Sequence, residues 1–161
     1  MTTPYDSADP ELLEEIISQG EKRLQAQLEL GKAADQRAMT FAGLLFAGVA
    51  VLIALAFGNN ASAIKRPELI CVAAGFVISA ALAGWSAKPS EWDIVGNVPK
   101  SFLNDIAAGL TLVKTRPITA VHIQDMITNN HEILKTNSWL MGASMTVALI
   151  SAVAGVFSAL L

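Results

Sequence analysis

The side chains able to do chemistry in this chain are few, and most of them stand in two short runs. Lys32, Asp35 and Arg37 fall within six positions, and Asn130, His131 and Lys135 within another six, while Trp92 stands alone beside Glu91 and Asp93. Cationic and amide groups in such runs can receive an anion, and an indole can stack on a nucleobase. Lys32, Asp35, Arg37, Trp92, Asn130, His131 and Lys135 are therefore the candidate ligand-binding set. Each also has a plainer account: Arg37 reaches lipid phosphate at the end of an apolar stem, Asp35 belongs to a solvated face, Lys135 sets topology, and Trp92 anchors a loop beneath a membrane. His122 and His131 are nine residues apart and do not make the i, i+4 pair of a helical metal site. Cys71 is single and lies in an apolar run, where it reads as a packing residue. Without a glycine-rich phosphate loop, a Ser-His-Asp set or a paired carboxylate, the sequence predicts no catalytic residue, no metal, no cofactor and no enzyme.

The elements that would position these residues are dictated by composition. Apolar residues make up 53% of the 161 residues and charged ones only 16%, against about a quarter in soluble domains. A formal charge of −3 argues against a nucleic-acid polymer as partner, which would call for a basic face. Three uncharged stretches, Met39 to Phe57, Leu69 to Ala87 and Trp139 to Leu161, are each about the 20 residues that span a hydrocarbon core. The fold class is therefore all-α, a polytopic membrane protein with three transmembrane helices. Its expected organisation is a disordered 1–8, a stalk helix 9–38, a first span 39–58, a short external loop 59–68, a second span 69–87, a loop, amphipathic helix and stalk over 88–138, and a third span 139–161. Lys and Arg concentrate before the first span and between the second and third, which puts the N terminus in the cytoplasm.

Two stalks are expected to run unbroken into their spans. Asp9 and Pro10 read as N-cap and first helical position, and nothing obvious stops the helix before Gly58. After Pro117, with Thr119 as cap, a second helix enters the third span, loosened at Asn129 and Asn130. Between them Phe102, Leu103, Ile106, Leu110 and Val113 draw a short amphipathic helix closed by Pro117, whose apolar face needs a cover. The spans carry small residues four apart: Gly43 and Ala47; Gly75, Ser79 and Ala83; Ser144, Ala148 and Ala152; Ser151, Gly155 and Ala159. Such rows let helices approach closely in lipid. Two rows on different faces of the third span predict a homo-oligomer.

The segment "AADQRAMTFAGLLFAGVAVLIAL", with its Asp-x-basic step before the first span, and "HEILKTNSWLMGASMTVALISAVAG", with a Lys before the last, resemble the small transmembrane effectors of bacterial Pycsar and related SLATT-type antiphage systems. Arg37 stands where that family more often has Lys, and 88–116 has no counterpart. The resemblance implies a multi-pass protein of the bacterial inner membrane, gated by a nucleotide second messenger such as a cyclic mononucleotide and acting by oligomerisation and membrane disruption. A non-catalytic accessory or scaffold subunit of a larger membrane complex, or a holin-like pore former, would share the residue-level features.

Overall fold

The computed structural model describes residues 3–58, 66–97 and 99–160, and of these the side chains of Arg66, Ser101, Ala159 and Leu160 are not described. The described chain is helical: α1 (Pro10–Phe57), α2 (Arg66–Ser86), a 3-10 turn (Pro99–Phe102), α3 (Leu103–Ala107) and α4 (Leu112–Leu160). Three of these helices, α1, α2 and α4, are long and apolar enough to cross a membrane. The loop expected at 59–68 lies largely outside the described residues.

α1 starts where its cap was expected. The Glu11 N–H donates to Asp9 Oδ1 at 2.9 Å, which satisfies one of the orphan donors of the first turn, and the Leu13 N–H donates to the Asp9 carbonyl at 2.9 Å, the first intrahelical bond. From there 48 residues run without a break. The buried positions Leu13, Leu24, Gln27, Gly31, Ala38, Ala42, Leu45, Val49 and Ala56 keep to the 3.6-residue period throughout.

The second long helix begins earlier than the sequence indicates. Gly109, at φ +63°, ends α3 in a Schellman motif: the Leu110 N–H donates to the Asp105 carbonyl and the Gly109 N–H to the Ile106 carbonyl. The Thr111 carbonyl then accepts from the Lys114 and Thr115 N–H groups, and α4 is already under way when it meets Pro117 inside its second turn. So close to the helix start the ring removes few intrahelical bonds, and the helix continues through it. Thr119, expected to cap, instead donates its hydroxyl to the Thr115 carbonyl within the helix. The amphipathic stretch is thus split between α3 and the start of α4, and Phe102, Leu103, Ile106 and Val113 remain exposed.

The chain divides into two compact units, Met1–Gly31 with Ser90–Leu134, and Lys32–Pro89 with Lys135–Leu161. The first carries 5 Lys and Arg against 12 Asp and Glu, a formal −7; the second carries 6 against 2, a formal +4. The first is thus a charged unit and the second an apolar unit.

Within the charged unit the first part of α1 and the first part of α4 lie side by side and parallel, since Glu14 meets Arg116, Gly20 meets Ile123 and Gln27 meets Ile127. Leu24, Ile123 and Met126 form its buried apolar centre, with Ile17 and Ile127 packed against them. Within the apolar unit α2 runs antiparallel to α4: Val72 faces Gly155, Gly75 faces Ser151, and Ser79 faces Ser144. Ala42, Leu45, Ala80, Ala83 and Ala148 make the centre of this unit, with Phe41, Phe76 and Met141 around it. Cys71 is exposed on α2, so it is not the packing residue its apolar surroundings suggested; the α2 seam is filled by Val72, Gly75 and Ser79 instead.

Candidate functional site

In the charged unit the polar groups that matter are inside. Asn130 is fully buried on α4, and its side-chain amide pairs with one residue of the irregular loop after α2: the Asp93 N–H donates to Asn130 Oδ1 at 3.0 Å and Asn130 Nδ2 donates to the Asp93 carbonyl at 2.9 Å. The side chain thus copies the two-bond exchange of a strand pair and satisfies backbone groups that a loop would otherwise leave to water. Asn129 Nδ2 adds a longer bond, 3.3 Å, to the Asp93 carboxylate. One residue earlier, Trp92 lays its indole against the bare backbone of Gly31, where a Cβ would come within 2.7 Å of the ring. The loop is therefore strapped to the helix pair from both sides. Asn130 spends its helix-weakening amide on this strap, and α4 continues through Asn129 and Asn130 without the expected loosening of a turn.

One level along the pair, Gln27 is 6% exposed and its Nε2 donates to the Ile127 carbonyl at 3.1 Å, while its Oε1 is buried without a hydrogen-bond partner among the described residues. Gln27 gives the parallel helices a polar contact at a fixed height, the kind of device that fixes register in a helix pair, while Asn130 one turn further along α4 holds the loop. Neither the Gln27 contact nor the Asn130 clasp was found from the sequence. The available signal was Gln27 on the same buried stripe as Leu24 and Gly31.

Of the seven candidate ligand-binding residues, Trp92, Asn130 and His131 belong to the charged unit, and Lys32, Asp35, Arg37 and Lys135 to the apolar one. Trp92 and Asn130 act as the strap; His131 is exposed on α4. Lys32, Arg37 and Lys135 are exposed, and Asp35 is half-buried on α1, where burial pushes its carboxyl above the ordinary aspartate value. A hollow in the charged unit is lined by Asn97, Asp105, Thr115 and His122 with Phe102 and Ile118, none of them in the candidate set save by neighbourhood. Among the described residues no group of three or more His, Cys, Asp or Glu is placed to hold a metal ion.

The small residues of the apolar unit have clear positions. Ser79 and Ser144 are fully buried and exchange hydrogen bonds, each hydroxyl donating to the other's backbone carbonyl at 2.7 Å, with the two oxygens 3.0 Å apart. Ala83 and Ala148 are buried beside them, and Gly75 and Gly155 meet Ser151 and Val72 so closely that a Cβ on either would collide. Ser144, Ala148, Ser151 and Gly155 thus form a single seam that is used against α2 and within the chain's own core, although the sequence places them in two rows. Gly43, Ala47 and Ala152 are exposed. Ala159 lies outside the residues whose side chains are described.

The end of this unit that holds the C terminus of α2 is basic and aromatic. Trp85 is 63% and Trp139 72% exposed, and the Lys88 ammonium stands 5.6 Å from the Trp85 ring centroid, within cation–π range. Indole rings and amines in this arrangement suit the boundary between hydrocarbon and headgroups. The fold and the site define an all-helical protein with three helices able to span a membrane, tied together by serines and small residues. No protein family, curated protein or solved structure matches the chain.

Proposed function

We propose that this multi-pass membrane protein is an effector of an antiphage signalling system, set in the bacterial inner membrane with its N terminus in the cytoplasm. In this reading a nucleotide second messenger engages the cytoplasmic part, and the spans respond by assembling and breaching the membrane. The observation that carries the reading is the continuity of α1 and α4, each one uninterrupted helix that belongs to the charged unit at one end and to the apolar unit at the other. A continuous helix transmits a rotation or shift that a hinge would absorb. The resemblance of the two span-entry segments supplies the class of signal. The test is inducible expression in bacteria with a membrane-potential dye, with and without cyclic mononucleotides: ligand-dependent depolarisation supports the effector, and timed lysis without ligand supports a holin-like pore.

A second reading has an observation of its own. The charged unit is formally −7, which repels a phosphate-bearing ligand, and Leu103, Ile106 and Val113 on it are exposed. An accessory subunit that docks a basic partner protein fits both facts. Co-purification of a stoichiometric partner, with no change of membrane potential on adding any cyclic mononucleotide, favours this reading over the effector.

A further inference from the structure

The geometry points to a binding site for an anionic phospholipid on the apolar unit, with the acyl chain in the crevice between α2 and α4 and the headgroup phosphate on Lys88. The crevice, about 360 Å3, is walled by Ile78, Ala81, Leu82 and Trp85 of α2 and Leu140 of α4. Its wall residues are spaced at three, four and seven along α2, so the trough follows the helix as an extended chain would. The Lys88 ammonium, 5.6 Å from the centroid of the Trp85 ring, is the cation beside this lining residue.

Charge selects the headgroup. Within the apolar unit Lys32, Arg37, Lys88 and Lys135 flank the span segments towards the charged unit in sequence, with Asp35 as the acid among them, and this excess of cations favours a net negative lipid over a zwitterionic one. Within that field Lys88 is distinguished by its neighbour: it stands two residues past the end of α2, beside the Trp85 ring that lines the hydrocarbon trough, a pairing of cation and trough that a soluble anion could not exploit. The site needs only that the three helices sit in lipid and does not depend on the effector reading.

The test uses the full chain in nanodiscs, with Trp92→Phe and Trp139→Phe leaving Trp85 as reporter, and lipids brominated near the carboxyl end of the acyl chain. Brominated phosphatidylglycerol should quench Trp85 with an apparent affinity about fivefold above brominated phosphatidylcholine, the factor that a single Lys near an anionic surface supplies. Lys88→Gln should abolish the preference, Ala81→Phe should abolish it by filling the trough, and Lys135→Gln should leave it. Equal quenching by the two lipids, or equal losses in Lys88→Gln and Lys135→Gln, would overturn the site in favour of diffuse attraction. Native mass spectrometry of the unsubstituted chain, delipidated stepwise, supplies a readout that needs no tryptophan replacement. The last lipid retained should be anionic and should be missing in Lys88→Gln; retention of that lipid by the variant counts against the assignment.

Discussion

Asn130→Ala should release the loop after α2 while leaving the helices intact. The substitution removes two hydrogen bonds, 3.0 and 2.9 Å long, that both end on the backbone of Asp93, in a place where Asn130 itself is fully buried. An unsatisfied buried polar group costs about 1–3 kcal/mol. Asp93 is only half-buried and can recover part of this from water, so the lower end of the range applies to each group, about 2–3 kcal/mol for the two. At 1.36 kcal/mol per tenfold, the strapped loop should open about 30- to 160-fold more often. The assay is hydrogen exchange on the full chain in nanodiscs, following peptides that cover 90–97 against peptides from α2 as internal reference. Emission of Trp92 should shift to the red in the same variant, because its ring leaves the surface of Gly31. Asn130→Leu, which keeps volume without the amide, should open the loop as far as alanine does. If exchange at 90–97 in Asn130→Ala stays within about threefold of the wild type, the paired bonds do not hold the loop, and the reasoning from burial to strap fails.

Three further expectations concern the helices. Ser79→Ala and Ser144→Ala should each destabilise the apolar unit by about 0.6–1.7 kcal/mol, the range for hydrogen bonds between membrane helices, with strong coupling in a double-mutant cycle read by unfolding in bicelles; additive losses would show that the serines serve only to let the backbones approach. Ala38→Pro should insert normally yet lose any activity or assembly, since proline in a helix interior costs about 3 kcal/mol or more; Ala38 is 1% exposed, so leucine there would overpack, and the exposed neighbour Met39→Leu is the neutral control. Burial raises the Asp35 carboxyl, so the folded state binds its proton more tightly than the unfolded one and stability falls as pH rises through the interval between the two values. Asp35→Asn should therefore melt slightly higher than the wild type at neutral pH, and the difference should vanish in acid below the ordinary aspartate value; a difference that grows in acid would reverse the sign of the argument.

The spans, the start of α1 and its unbroken passage to Phe57 were legible because each depends on neighbours along the chain. Hydrophobic length decides what crosses lipid, and Asp9 caps a helix with its own backbone. The start of α4 was misplaced for a related reason: Pro117 is a strong local signal, but Gly109 and Thr111 had already ended one helix and begun another, which places the proline where it does little harm. Tertiary structure alone decided the rest. Whether Asn130 meets a ligand or a loop depends on what lies 37 residues away, and a buried amide takes the nearest backbone pair that will satisfy it. In the same way, two small-residue rows on α4 look like two faces until α2 is laid against them. Spacings of four and three then merge into one seam of Ser144, Ala148, Ser151 and Gly155, because a 3.6-residue period brings rows offset by seven back to the same side.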